Sequence, residues 1–156
     1  MRIFLSLPAF VAAALAGGAA VAKPFTYVNE RFGTSATFPD EVFTDRQPPP
    51  ENGDGLRWLS KDGASVAVYG SWNVLDDTPQ TLVENGRALP GRTVTYARTG
   101  RNWAVLSGFE DGAVFYERQV IGPTGIVHGV EITYPKELRA KYDPLAGAIA
   151  GSLRGP

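Results

Sequence analysis

The chain has 156 residues, no cysteine, one histidine, and 15 Lys and Arg against 16 Asp and Glu, for a net charge of −1. Without cysteine there is no disulfide, no thiolate metal ligand and no thiol nucleophile. Charges of both signs are mixed along the chain, so no basic stripe suits nucleic acid and no Lys/Arg cluster suits a membrane surface.

Arg2, the uncharged apolar run Ile3–Leu15 and the small-residue site Ala20-Val21-Ala22 have the form of a Sec-type signal peptide cleaved before Lys23. An uncleaved anchor needs about 20 strongly apolar residues, whereas the second half of this run is Ala and Gly. The expectation is an exported, periplasmic domain over 23–156, without stable membrane insertion and large enough to bury most of its apolar surface.

Lys23–Pro39 reads as a first hairpin, with strands at Phe25–Asn29 and Thr34–Phe38 around Arg31-Phe32-Gly33. Asp40–Phe43 reads as one helical turn. Gln47–Gly55, with three prolines and Asn-Gly-Asp-Gly, is the clearest loop. Its Glu51, Asn52 and Asp54 are oxygen donors, but the closing Glu of a calcium loop is missing at the required offset, so no metal is expected. A second hairpin follows, Leu56–Ser60 and Ala64–Trp72, with Val66, Val68 and Trp72 on one face and Ser65, Ala67, Tyr69 and Ser71 on the other. Asp77 or Thr78 caps a helix over Pro79–Leu89, with Leu82, Val83 and Leu89 inward and Gly86 weakening it. Strand Arg92–Arg98 leads into a three-strand meander, Asn102–Phe109, Ala113–Gly122 and Ile126–Tyr134, joined by Gly-bearing turns. One or two helical turns over Pro135–Lys141 precede a final helix, started by Asp143-Pro144 and reaching Leu153, with Leu145, Ile149 and Leu153 inward.

His128 alternates with Ile126, Val130, Ile132 and Tyr134, which points it at the core as a hydrogen-bonded structural residue. If Ile121 opposes Ile126, then Gln119 opposes His128 and Glu117 opposes Val130, gathering Glu117, Gln119 and His128 into one polar cluster. The pairs Asp76-Asp77 and Glu110-Asp111 are explained by a helix cap and a turn. No nucleophile motif, phosphate loop or metal motif is present, and no cofactor is expected. Trp58, Tyr69, Trp72, Trp103, Tyr96, Tyr116 and Phe115 fall on several strands, as core or as the walls of an aromatic groove. The expected binding surface is the Pro48–Gly55 loop with Trp58, Tyr69, Trp72 and Asn73 nearby.

The run Tyr27-Val28-Asn29-Glu30-Arg31-Phe32-Gly33 ending in Phe38-Pro39, a helix after Thr78-Pro79, the long meander, and the ending Ile132-Thr133-Tyr134-Pro135, Tyr142-Asp143 and Ile149–Leu153 form a familiar order. It resembles the α/β/α sandwich shared by PsbP of photosystem II and the Ran-binding Mog proteins, and the small exported bacterial proteins of that fold class. The fold class is therefore α+β, an antiparallel meander flanked by helices. The resemblance implies an accessory role in the bacterial cell envelope, binding a protein or small ligand, rather than catalysis. The alternatives are a hydrolase using His128 with Glu117, and an immunity-type protein that blocks a toxin.

Overall fold

A computed structural model describes residues 23–156; the signal-peptide reading concerns residues outside them. The strands are β1 (Pro24–Val28), β2 (Ser35–Pro39), β3 (Asp45–Arg46), β4 (Gly55–Leu59), β5 (Ser65–Trp72), β6 (Arg92–Thr99), β7 (Trp103–Glu110), β8 (Ala113–Ile121) and β9 (Ile126–Pro135). The helices are α1 (Pro79–Ala88) and α2 (Arg139–Gly151), the latter preceded by a 3₁₀ turn, Lys136–Leu138. A seven-stranded antiparallel sheet has the order β3-β4-β5-β9-β8-β7-β6, and β1-β2 form a separate hairpin. The central strand β9 is buried along most of its length, with Val130, Ile132 and Tyr134 in the core on one face and Glu131 and Thr133 half-buried on the other.

The hairpin and α2 pack on one face of the sheet, burying Phe38, Trp58, Val66, Val68, Val130, Ile132, Tyr142 and Ile149 together. On the other face α1 brings Leu82 against Ala104, Leu106, Phe115 and Val127. Since α1 spans only β6, β7 and part of β8, the β4-β5-β9 half of that face carries no helix among the described residues. Its side chains are polar or amphipathic, Arg57 exposed and Ser65, Tyr69, Glu131 and Thr133 buried or half-buried against one another, alternating with the apolar set of the opposite face.

Several local expectations change. Asp40–Val42 forms the single turn expected, but the Pro39 carbonyl starts it, accepting from both the Val42 and the Phe43 amides. Thr78 caps α1, and its hydroxyl and that of Thr81 form a reciprocal capping box. The helix stops one residue earlier than expected, and extended backbone at Leu89 turns that side chain outward, 46% exposed instead of inward. Gly86 is there for contact, since a Cβ at that position would come within 2.6 Å of Leu106 Cδ2. Helix α2 starts at Arg139, not at Asp143, and runs through Pro144. Pro144 lacks the amide that would bond the Ala140 carbonyl, a defect of about 3 kcal/mol in an isolated helix. Burial of Tyr142, which stacks on Tyr134 at 5.4 Å and donates to Asp62 at 2.5 Å, holds the earlier turn in place.

The β8–β9 register also differs from the expectation. The Gly122 amide donates to the Ile126 carbonyl at 2.7 Å, and Gly125 has φ 74°. The loop is thus Pro123-Thr124-Gly125, a three-residue turn ending in a left-handed glycine. Ile121 therefore opposes Val127 rather than Ile126, Val120 opposes His128, and Glu117 opposes Glu131. That shift of one residue puts His128 on the α2 face and Glu117 with Gln119 on the α1 face.

Candidate functional site

The open half of the α1 face carries a continuous polar network anchored by Arg92, which the sequence reading did not single out. Arg92 lies on edge strand β6 with its side chain 3% exposed, its guanidinium 4.1 Å from the Phe115 ring centroid. Its Nε and Nη2 donate to Glu110 at 3.1 and 3.2 Å, Nη1 to Glu117 at 2.9 Å, and Nη2 to Glu131 at 2.8 Å. Three carboxylates on three strands thus converge on one cation. Burial works against the Arg92 charge, but these carboxylates more than offset it and hold its proton more tightly than usual. Burial, then the Glu117 charge, pushes the Glu131 carboxyl above its ordinary value while Arg92 pulls it back.

Tyr69 continues the network. Its ring lies across Gly129 on the neighbouring strand, where a Cβ would sit 2.1 Å from Tyr69 Cζ. Only glycine leaves that slot, which lets the phenol donate to Glu117 Oε1 at 2.5 Å and accept from Gln119 Nε2 at 3.2 Å. Burial, then the Glu117 charge, raises the Tyr69 phenol well above its usual range, so it remains a donor at neutral pH. At the far end Ser65 bridges Arg57 at 3.0 Å and Thr133 at 2.8 Å.

Beside this network, α1 and the end of β5 enclose a cleft of about 250 Å³ that reaches Glu117, Gln119 and Val127 at its floor. Its walls include Trp72, Asn73, Asp77, Asn85 and Leu89. Asn73 shapes the β5–α1 loop, its side chain donating to the Asp77 carbonyl at 3.0 Å and accepting from the Asp77 amide at 2.7 Å. Asp77 Oδ1 in turn accepts from Thr81 and Asn85. The loop so fixed holds Val74 and Leu75 out at 80% and 76% exposure, next to Trp72 at 56%.

Of the residues expected to form a site, Tyr69, Glu117 and Gln119 meet directly and Asn73 stands on the rim of the same cleft, whereas Trp72 borders it only at the end of β5, its ring packed edge-on to Phe32 at 5.6 Å on the hairpin face. Trp58 does not join them: it is 5% exposed and packed among Phe25, Tyr27 and Phe38. The Pro48–Gly55 loop is tied to the β1–β2 turn instead, with Asn29 donating to the Gly53 carbonyl at 2.9 Å and Arg31 to Asp54 at 2.7 Å. The Asp54 carboxylate is taken up by Arg31 and Asn52, and no group of three or more acidic or histidine side chains is placed to hold a metal among the described residues.

His128 is fully buried on the other face of the sheet. Nδ1 shares a 2.7 Å hydrogen bond with Thr34 Oγ1, Nε2 has no partner, and burial lowers its pKa. Gly155 packs directly against Nε2, closing it from solvent. The sheet separates it from Glu117, so the expected Glu117–Gln119–His128 cluster does not form and the two cannot act as an acid–base pair.

Two solved structures share this arrangement of sheet, hairpin and helices. One is the solution structure of the cyanobacterial PsbP (CyanoP) of Synechocystis sp. PCC 6803, 12% identical, covering 90% of this chain and 96% of that one, with TM-score 0.61. The fold is PsbP/Mog-like. The other is the crystal structure of the Ran-binding protein Mog1p of Saccharomyces cerevisiae, 11% identical, covering 86% and 96%, with TM-score 0.58. No family model and no curated protein sequence matches the chain. At these identities the PsbP/Mog-like likeness establishes architecture alone, and function must be argued from the site.

Proposed function

We propose that this chain is a non-catalytic accessory domain, exported to the cell envelope, that binds a protein partner over the α1 cleft. The observation that carries this reading is the apolar rim. Val74 and Leu75 on the β5–α1 loop and Leu89 at the end of α1 are exposed beside a polar floor, Glu117 and Gln119, that Arg92 and Tyr69 already engage. Adjacent exposed large apolar side chains are the usual mark of a surface that another molecule covers, and the engaged floor leaves no free nucleophile–base pair for chemistry. The Ran-binding description of Mog1p agrees with a binding role for this fold. Export rests on Arg2, the apolar Ile3–Leu15 run and Ala20-Val21-Ala22.

The test places a photo-crosslinking amino acid at position 75 of the full chain in its own host. A discrete crosslinked protein is expected, lost when Val74→Asp is introduced beside the probe, with Tm unchanged because the Val74 side chain is solvent-exposed. Crosslinking that survives Val74→Asp overturns the site. Residue-specific turnover of a substrate by the purified protein overturns the non-catalytic reading.

A further inference from the structure

A second surface, on the β6 edge, lies apart from the α1 cleft. The hairpin geometry determines which backbone groups of β6 are free. The Gly100 amide donates to the Trp103 carbonyl at 2.9 Å, so by the two-residue alternation of an antiparallel ladder Arg98 and Tyr96 also bond inward to β7. Ala97 and Thr99 then direct their amides and carbonyls outward, and Thr93–Thr99 make no backbone hydrogen bond beyond the ladder with β7 among the described residues. A bulge between Val94 and Tyr96 interrupts the strand, which leaves Tyr96–Thr99 as its regular stretch, paired with β7 on one side and with an open outer edge. An edge of this kind is a template for another strand.

Two grooves flank that stretch, one on each face of the sheet. A groove of about 310 Å³ has Tyr96, Tyr116 and Tyr134 in its walls. Another of about 360 Å³ lies between Ala97–Thr99 and the Val83 and Arg87 side of α1. A strand added to an edge sends alternate side chains to opposite faces, so both grooves are placed to receive them. The local charge selects the sign of the segment. Arg87, Arg98 and Arg101 have no carboxylate within ion-pair distance among the described residues. Arg118, in the same row as Arg98 across Val105, has a buried Nε without a partner. Glu84 is the one acidic side chain lining the α1-side groove, and Asp143 in the tyrosine groove is paired with Arg139 at 3.4 Å.

We propose that the β6 edge receives an extended, acidic segment of a partner protein as an added strand along Tyr96–Thr99. Backbone pairing supplies the attachment and the arginines supply the preference, the division of labour seen wherever a peptide augments a sheet. This surface is independent of the α1 rim, so the Val74→Asp variant keeps it.

The probe is a fluorescent peptide of alternating acidic and apolar residues, Glu-Val-Asp-Val-Glu-Val-Asp, titrated against the protein without its first 22 residues. Binding is expected for this peptide, with a loss of at least tenfold for its lysine counterpart, for a version N-methylated at alternate residues, and for Arg98→Glu with Arg101→Glu. Amide exchange at Ala97 and Thr99 should slow in the complex. Binding that ignores N-methylation, or that leaves the Ala97 and Thr99 amides unprotected, overturns the added strand. Equal affinity for the lysine peptide overturns the acidic partner. An anionic vesicle or oligonucleotide that binds more tightly than the peptide, with the same dependence on Arg98, overturns a protein segment as the occupant.

Discussion

Replacing Arg92 by Met keeps the apolar stem over Phe115 and removes the one cation shared by Glu110, Glu117 and Glu131. Removing one partner of a buried ion pair costs about 3–5 kcal/mol, because the other charge stays buried and unpaired. Here the side chain of Glu110 is 28% exposed and can rehydrate, but those of Glu117 and Glu131 are 12% and 14% exposed and face each other across β8 and β9. That places the expected loss at about 4 kcal/mol near neutral pH. For a domain of this size, at roughly 3–5 °C per kcal/mol, Tm should fall by about 12–20 °C. The loss carries a pH signature. Without Arg92 the burial that raises the Glu131 carboxyl loses its main opposition, so the folded state binds the proton more readily than the unfolded chain and the variant gains stability as pH falls. Its deficit against the wild type should be largest at about pH 8 and shrink toward about pH 5. Adding Glu117→Gln should recover part of the loss by removing one of the facing charges. Chemical denaturation of the three variants across that pH range checks the account. A deficit below about 1 kcal/mol, or one independent of pH, would refute it, since the network would then be surface decoration.

His128 predicts the opposite slope. Its pKa is lowered in the folded state from the ordinary 6.5, so the unfolded chain takes up the proton first and stability falls as pH drops below about 6.5. His128→Gln should flatten that acid slope while keeping a partner for Thr34; an unchanged slope means that another group titrates there. Gly129→Ala drives a Cβ into the Tyr69 ring and should destabilise by about 1–3 kcal/mol, read by thermal unfolding. Full stability in Gly129→Ala would show that the ring does not lie across that strand.

Periodicity carried most of the architecture. The alternation in Ala64–Trp72, the Gly-bearing turns of the meander and the Thr78-Pro79 helix start appear in the structure within a residue or two of where the sequence placed them, because each is a short-range pattern with its own backbone reason. The burial of His128 was legible in the same way, from its alternation with Val130 and Ile132. What the sequence could not decide was everything that depends on how elements meet. A three-residue loop after Gly122, in place of a four-residue loop after Ile121, moved Glu117 and Gln119 to the opposite face from His128, since a strand has period two and a shift of one residue reverses its faces. Helix α2 passes through Pro144 because tertiary burial of Tyr142 outweighs the local preference to start at Asp143. Arg92 becomes the centre of the polar network only when β6, β7, β8 and β9 lie side by side and bring Glu110, Glu117 and Glu131 within reach of one guanidinium. Those residues are 18 to 39 positions apart from Arg92, and no local pattern encodes a meeting across that distance.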